Sequence, residues 1–283
     1  MENTCYYHAG CPDGFGAAWA VWRAWGDAAR FIPIGHDDVA RIEDCEDRTV
    51  AFVDIAPNNH ILRELAGVAS RVIVLDHHVS ALKRFQSDPM LGDELQDEGH
   101  YIHFDLKHSG AVLAWQHFRS DYPTPDLLRY VEDQDLWAWK LNGSREVNAA
   151  IGSYPRRFDV WAELDQREVQ LLAREGESIV RSDKAEVDRV VHTAATIMIG
   201  NRRVEAVNAT RNRSSVGHEL AKRAAHGDPW GCVYRIAGDR VHASIYSIGD
   251  FDVSAIATEF GGGGHLNASG FSVRLSTWLE DFV

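Results

Sequence analysis

Short apolar runs alternate with amphipathic segments through the first half of the chain, and this pattern limits the fold most strongly. The runs include TVAFVDIA at 49–56 and RVIVLDHH at 71–78. Such alternation is typical of βαβ units, in which helices cover a parallel sheet. Asp13, Asp54 and Asp76 each follow an apolar run, and strand C-termini open onto a crevice in open α/β sheets. We therefore predict an α/β fold with functional residues at that edge.

The second half predicts a helical linker and a smaller α/β unit. The segment 158–199 has apolar residues at helical spacing and contains no proline. Beyond it, strand-like runs such as WGCVYRIAG alternate with helical runs such as VSAIATEFG. The expected organisation is a parallel-sheet domain over 1–157, the linker over 158–199 and a smaller α/β domain over 200–283.

Net charge and cysteine content restrict the partners and the compartment. The 283 residues carry a formal net charge of −13 and four cysteines without a CxxC pair. This charge disfavours a long duplex nucleic acid, although bound metal ions can supply positive charge in a small pocket. No apolar stretch reaches the roughly 18 residues of a membrane span, and no signal-peptide pattern is present. We expect a cytoplasmic protein without a membrane partner; whether it forms a homodimer stays open.

Three segments at predicted strand ends carry candidate metal ligands. They are YYHAGCPDG at 6–14, VAFVDIAP at 50–57 and LDHHVS at 75–80, which contribute His8, Asp13, Asp54, Asp76, His77 and His78. Carboxylates and imidazoles together suit Mn²⁺, Mg²⁺ or Zn²⁺. Each segment alone is equally compatible with a polar loop or a helix cap. Their joint occurrence favours one or two divalent ions that clamp a phosphate and activate water.

A fourth segment, YVEDQDLWAW at 130–139, adds Asp133 and Asp135 beside two tryptophans. Either carboxylate is a candidate ligand, and a solvated turn is the alternative. Trp137 and Trp139 could stack on a base, but core packing is the favoured interpretation.

Two glycine-containing segments predict contacts with an anion. Gly14 and Gly16 would allow a ligand to approach the N-terminus of a helix, where the partial positive charge favours phosphate. In GGGGHLNASGF at 261–271, the glycines would expose backbone N–H groups, and His265 could donate to a phosphate or sugar oxygen. A flexible surface loop is the alternative for the second segment.

These residues resemble the DHH/DHHA1 phosphoesterase superfamily, which includes RecJ-type exonucleases, oligoribonuclease-like nanoRNases, pAp phosphatases and cyclic-dinucleotide phosphodiesterases. LDHHVS contains the Asp-His-His of the DHH domain, and GGGGHLNASGF is similar to the GGGH motif of the DHHA1 domain. HSGAVLAW at 108–115 and DVSAIA at 252–257 extend the resemblance over nearly the whole chain.

The resemblance implies a role for most candidate ligands. One ion would be held by Asp13, Asp54, His77 and an aspartate of the fourth segment, with Asp133 preferred and Asp135 as the alternative. A second ion would use His8 and share Asp54. Asp76 would orient the site, and His78 would contact the scissile phosphate or protonate the leaving oxygen. Mn²⁺ is the preferred ion, with Mg²⁺ or Zn²⁺ as alternatives.

Two departures from the superfamily pattern affect this reading. Cys11 stands where a carboxylate ligand is expected, so it would ligate a softer ion such as Zn²⁺ or leave the second ion weakly bound. In the second domain, Tyr246 and Ser247 stand where relatives carry an arginine, which would leave phosphate binding to Arg211 or Arg213. The substrate-binding residues expected on this basis are Ser109, Arg211, Arg213, Gly262, Gly263, Gly264, His265 and Asn267.

The resemblance therefore implies hydrolysis of phosphodiester or phosphomonoester bonds in a small nucleotide or short oligonucleotide, with the substrate lodged between the metal site and the glycine-rich domain. A pyrophosphate or polyphosphate hydrolase is the alternative enzyme. A catalytically silent nucleotide-binding module is the third reading, should Cys11 have emptied one metal position.

Overall fold

The computed structural model describes residues 3–35, 38 and 40–283. The chain divides into two compact units, Met1–Val180 and Arg181–Val283. The predicted linker segment 158–199 contains two helices and one strand, and the longer helix carries the division between the units. The domain boundaries expected at 157 and 199 stay predictions.

The first unit is built from alternating strands and helices. Its elements are β1 (Thr4–His8), α1 (Pro12–Trp25), β2 (Arg30–Ile34), β3 (Thr49–Val53), α2 (Asn59–Val68), β4 (Arg71–Asp76), α3 (Val79–Gln86), α4 (Leu91–Asp97), β5 (Tyr101–Phe104), α5 (Gly110–Phe118), α6 (Asp126–Asp135), α7 (Ser144–Ser153) and α8 (Phe158–Asp165), followed by the long helix α9 (Val169–Val191) that continues into the second unit.

All strand pairs of the first unit are parallel, in the order β2-β1-β3-β4-β5. The apolar runs of β3 and β4 are buried along nearly their whole length because helices cover both faces of the sheet. One face packs on Trp19, Trp115 and Trp161, and the other on Leu62 and Leu95. The strand order reverses between β1 and β3, so the crevice expected at such a switch point lies at their carboxyl ends.

The second unit is a mixed six-stranded sheet with helices on both faces, in the order β10-β11-β9-β8-β7-β6. Only the pair β7 and β8 is parallel among the described strands of this sheet. Its elements are β6 (Ala195–Ile199), β7 (Arg202–Asn208), α10 (Arg213–Arg223), β8 (Trp230–Ala237), β9 (Arg240–Ser247), α11 (Val253–Glu259), β10 (Gly263–His265), β11 (Ala268–Arg274) and α12 (Leu275–Asp281). The predicted α/β class with a parallel-sheet first domain is confirmed.

In the described part of the chain, no helix combines the length and apolar character that crossing a bilayer requires.

Candidate metal centre

Three neighbouring strands of the first unit end in candidate ligands. β1 ends at His8, β3 is followed by Asp54, and β4 ends at Asp76, directly before His77 and His78. Since β1, β3 and β4 are adjacent and parallel, their carboxyl ends meet at one edge of the sheet. The side chains therefore converge although they are distant in sequence.

Asp54 occupies the centre of this cluster. Its φ of 59° is left-handed, a conformation that costs a residue with a side chain about 1–2 kcal/mol and that aspartate tolerates better than most. Its amide donates to the Leu75 carbonyl at 2.9 Å. Asp54 Oδ1 lies 3.0 Å from His77 Nε2, and Oδ2 lies 3.4 Å from His8 Nδ1. One carboxylate thus connects two imidazoles.

Two groups of potential ligand atoms lie at this edge. Within each group the atoms lie within 4.8 Å of one another; the first group comprises Asp13, His77 and Asp135, and the second comprises His8, Asp54 and His78. His77 Nε2 lies 3.5 Å from Asp13 Oδ2 and 3.5 Å from Asp135 Oδ2. Because His77 also contacts Asp54, the two groups form one continuous cluster.

The N-terminus of α5 holds the Asp13 carboxylate. Asp13 accepts hydrogen bonds from the amides of Gly110 at 2.7 Å and Ala111 at 3.1 Å, two of the N–H groups that a helix start leaves without intrahelical partners. A Cβ on Gly110 would lie 2.4 Å from the Cβ of Asp54. Glycine is therefore required where α5 passes behind the central carboxylate, a function that the sequence analysis did not assign.

Gly14 and Gly16 serve packing, contrary to the expectation that they admit a ligand. A Cβ on Gly14 would lie 2.1 Å from the His8 carbonyl oxygen. A Cβ on Gly16 would meet Ala111, Leu128 and Trp161 at 3.0–3.3 Å. Both glycines bring α1 against neighbouring elements, so neither opens a path to an anion.

The cluster concentrates negative charge, with Asp13 and Asp54 buried and Asp135 exposed. Burial, together with the nearby charges of Asp54 and Asp135, raises the pKa of Asp13 well above its usual value. Burial alone would raise the pKa of Asp54, but hydrogen bonds from His77 and His8 hold it well below its usual range. Burial alone would lower the pKa of His77, but its three carboxylate neighbours raise it to about 10. The site therefore favours a bound positive charge.

A hard or borderline divalent cation fits this arrangement. Oxygen ligands from several carboxylates and nitrogen ligands from imidazoles suit Mn²⁺, Mg²⁺ and Zn²⁺. Such an ion would replace the proton that His77 otherwise carries and would relieve the repulsion among the carboxylates.

Asp76 orients the two histidines that follow it. Asp76 Oδ1 accepts hydrogen bonds from the amides of His77 at 2.7 Å and His78 at 3.2 Å, and it lies 2.7 Å from His78 Nδ1. Burial would lower the pKa of His78, but the Asp76 carboxylate raises it. Asp76 thus fixes the orientation of the two histidines, and His78 carries a proton more readily than a free imidazole.

In the fourth segment, the structure brings Asp135 to the cluster rather than Asp133, the ligand that the resemblance favours. Asp133 is buried, and its carboxylate accepts hydrogen bonds from the amides of Lys140 at 2.8 Å and Leu141 at 3.2 Å. Asp135, at the last position of α6, lies 3.5 Å from His77 Nε2. Asp133 therefore stabilises the loop after α6, and Asp135 is the better-placed candidate ligand of the two.

Cys11, the N-cap of α1, lies beside the second group of ligand atoms, with its Sγ 3.4 Å from His8 Nδ1. Its Sγ accepts a hydrogen bond from the Gly14 amide at 3.1 Å and donates to Asp54 Oδ2 at 3.4 Å. Burial, followed by the charges of Asp54 and Asp13, raises the pKa of the thiol well above its usual value. In this arrangement the thiol caps a helix and stays neutral, and a neutral thiol is a poor metal ligand.

Ser109 supports the cluster from a fully buried position. It caps α5, with its Oγ 3.5 Å from the Val112 amide nitrogen, and it is fully buried. Its expected contact with substrate stays a prediction. The Ser109 amide donates to Glu132 Oε2 at 2.9 Å, and His108 Nδ1 lies 3.1 Å from the same oxygen. Glu132 therefore ties the start of α5 to α6, a connection that no sequence pattern indicated.

The glycine-rich segment of the second unit forms a short strand rather than an open loop. Gly263, Gly264 and His265 make up β10, which pairs with β11. The Gly262 amide donates to the Ala257 carbonyl at 2.9 Å, so it is not available to an anion. Asn267 also acts internally, because its side-chain amide donates to Ser247 Oγ and to the Gly249 carbonyl.

The two arginines expected to bind phosphate lie near the start of α10. Arg213 Nη1 donates to Ser244 Oγ on β9 at 3.4 Å. Arg211 is exposed and lies 3.7 Å from Asp183. Both guanidinium groups belong to the second unit, and their contact with a substrate stays a prediction.

The chain is similar in sequence to two known proteins and in fold to a third. Protein R106 of Acanthamoeba polyphaga mimivirus, described as uncharacterized, is 28% identical over 95% of this chain and 67% of its own length. Oligoribonuclease NrnB of Bacillus subtilis is 25% identical over 76% of this chain and 56% of its own length. An exopolyphosphatase-related protein from Bacteroides fragilis shares the fold, with a TM-score of 0.50 at 13% identity over 96% of this chain and 86% of that one. No family model matches.

The likeness to NrnB and the shared two-domain fold agree with the two sequence motifs. The Asp-His-His motif lies at the end of β4, and the GGGH motif lies in strand β10. These findings support the resemblance to the DHH/DHHA1 phosphoesterase superfamily that the motifs indicate. The chain spans little more than half of the NrnB length and two thirds of R106.

Proposed function

We propose that this DHH/DHHA1 protein is a metal-dependent phosphoesterase that hydrolyses phosphodiester or phosphomonoester bonds of small nucleotides or short oligonucleotides. The observation that carries the proposal is the continuous cluster of carboxylates and imidazoles around Asp54 and His77. Similarity to an oligoribonuclease supports nucleotides as the substrate class.

The proposed ligands divide between two positions that share Asp54. Asp13, His77 and Asp135 would hold one ion, and His8 would contribute to the second. Bound divalent ions supply Lewis-acid activation of a phosphoryl oxygen and of water. Mn²⁺ is the proposed ion, with Mg²⁺ or Zn²⁺ as alternatives.

The proposed role of His78 is to contact the scissile phosphate and to protonate the leaving oxygen. Its contact with Asp76 fixes the ring and raises its pKa, so the imidazolium persists nearer to neutral pH. A protonated imidazole can donate a hydrogen bond to a phosphate oxygen and then transfer that proton as the ester bond breaks. Asp76 is the positioning residue in this scheme.

The second unit, proposed as a substrate-binding domain over 200–283, offers Arg213, His265 and the β10 backbone as anion contacts. The net charge of −13 argues against a long polyanionic substrate. A nucleotide or short oligomer therefore remains the proposed substrate.

The test is a Mn²⁺-dependent turnover screen of the wild type and of Asp54→Asn. The substrates span pAp, dinucleotides, cyclic dinucleotides, short RNA and DNA oligomers and inorganic pyrophosphate. The exposed Asp121→Asn substitution is the matched control, because it removes one carboxylate away from the described cluster. We expect turnover of at least one nucleotide by the wild type and the control, and a loss of about 100-fold or more in Asp54→Asn.

Other outcomes would contradict the proposal. Turnover of pyrophosphate alone would favour the polyphosphate reading, and nucleotide binding without turnover in any variant would favour a silent binding module.

A further inference from the structure

The loop that follows Asp135 has an unusual backbone and carries two tryptophans. Trp137 and Trp139 have φ values of 54° and 51°. A bulky side chain in the left-handed region is a conformational outlier that persists only when surrounding contacts impose it. Such outliers concentrate at functional sites.

The contacts that impose this conformation come from Asp133. Its main-chain carbonyl accepts hydrogen bonds from the amides of Ala138 at 2.9 Å and Trp139 at 3.2 Å. Its carboxylate accepts from the amides of Lys140 and Leu141. One buried residue thus receives four consecutive backbone N–H groups, which fixes the loop.

The fixed loop arranges the two indoles against each other and against a cation. The ring centroids of Trp137 and Trp139 lie 5.0 Å apart with an interplanar angle of 75°. The Arg145 guanidinium carbon, from the first turn of α7, lies 4.1 Å from the Trp139 ring centroid. Both indoles are only partly buried, whereas Trp19 and Trp161 in the core are 0% and 1% exposed.

This arrangement lies next to the metal cluster. Asp135 is one of the cluster carboxylates, and Trp137 is two residues further along the chain. Since consecutive Cα atoms are about 3.8 Å apart, the Trp137 Cα lies within about 8 Å of the Asp135 Cα. An aromatic surface at this distance from a phosphate-binding centre is suited to the base of the same nucleotide.

We propose that the loop 136–141 is a base-binding platform, in which the purine or pyrimidine ring of the substrate stacks on the indole of Trp137 or Trp139 and contacts the edge of the other indole. Stacking on indole tolerates every base because each base has a π-face. The Arg145 cation reinforces Trp139 and adds positive charge for the substrate backbone. The platform selects a base-bearing ester over a base-free polyphosphate. This inference rests on the proposed phosphoesterase function and specifies its substrate.

The experiment compares a 5′-phosphorylated dinucleotide with its abasic analogue, which carries the same phosphodiester without bases. Trp137→Ala, Trp137→Phe, Trp139→Ala and Trp139→Phe are measured for KM and kcat with both substrates. Trp25→Phe is the matched control, since Trp25 is also partly buried but packs on Phe118 at the far end of α1. Thermal unfolding of every variant reports on folding.

We expect each alanine variant to raise KM for the dinucleotide at least tenfold more than for the abasic analogue. The phenylalanine variants retain a π-face and should stay within about threefold of the wild type. Equal changes for both substrates, or no change, would show that the tryptophans only pack and would overturn the platform.

A calorimetric titration with a non-hydrolysable dinucleotide keeps the two proposals separable. Absence of turnover on either substrate would remove the proposed function, whereas loss of dinucleotide binding in the alanine variants alone would still support the platform. Unchanged dinucleotide binding in those variants would refute the platform even if the wild type is an active phosphoesterase.

Discussion

The affinity of the cluster for a divalent ion should increase steeply with pH. His77 Nε2 lies within 3.5 Å of three carboxylate oxygens, and their charge raises the pKa of the imidazole to about 10 although burial opposes this. Without an ion, the ring is therefore protonated at neutral pH. Because a ligating imidazole must be neutral, an ion that binds at the His77 position has to displace this proton.

The magnitude follows from that pKa. At any pH below about 10, the deprotonated fraction of His77 rises tenfold per pH unit, which corresponds to about 1.4 kcal/mol of binding free energy. Between pH 6.5 and pH 8.0, the Kd for Mn²⁺ should fall by a factor of about 30. Release of a proton from Asp13, whose pKa is also raised, would steepen the dependence.

The stability of the ion-free protein changes with pH in the opposite direction from its affinity for the metal. The folded-state pKa of His77 lies above its unfolded value, so the protonated ring stabilises the ion-free protein fully below about pH 6.5. This contribution is lost as the pH rises towards 10. Added Mn²⁺ should therefore raise the unfolding temperature most at the alkaline end of the range.

Isothermal titration calorimetry in buffers of different ionisation enthalpy measures both the Kd and the number of protons released. We expect at least one proton per ion at the His77 position. The exposed His60→Gln variant is the control and should behave like the wild type, whereas His77→Gln should bind weakly with a much smaller pH dependence. A Kd that does not change with pH, together with no proton release, would refute the assignment of His77 as a ligand that loses its proton when the ion binds.

Two further substitutions test how the site is supported. Gly110→Ala should destabilise the fold by about 1–3 kcal/mol in denaturant unfolding and weaken Mn²⁺ binding, because the new Cβ would lie 2.4 Å from the Asp54 Cβ. The control is Gly67→Ala in α2, where the new Cβ would have no neighbour within 4 Å. This substitution should be neutral or stabilising. Asp135→Asn should reduce Mn²⁺ affinity at least tenfold. Asp133→Asn should mainly lower the unfolding temperature. The reverse pattern would show that Asp133 is the ligand.

The sequence could predict those site residues that directly follow a β-strand. Apolar runs at 49–53 and 71–75 are long enough only for strands, and parallel pairing places whatever follows them at one edge. Asp54 and His77 were therefore identifiable as neighbours before any coordinates. The superfamily motifs then indicated what such neighbours do.

The choice between Asp133 and Asp135 was beyond the sequence, because it depends on where α6 ends and how the chain turns afterwards. Two residues apart on a helix, the side chains point in very different directions. The Asp133 side chain contacts the backbone of the following loop, and the Asp135 side chain contacts His77.

Glycines were misread for a related reason. A glycine next to a helix start is compatible both with a ligand and with close packing, and only the position of the His8 carbonyl shows that Gly14 serves packing. The same ambiguity concealed the function of Gly110, whose neighbour Asp54 lies far away in sequence.

Anomalous diffraction from crystals grown with Mn²⁺ shows directly whether Asp13, Asp54, His77 and Asp135 bind a divalent metal together. We expect a manganese peak within coordination distance of Asp54 and His77, and a second peak, where present, between Asp54 and His8. Manganese peaks elsewhere in the protein, with none at Asp54 under saturating Mn²⁺, would contradict this expectation.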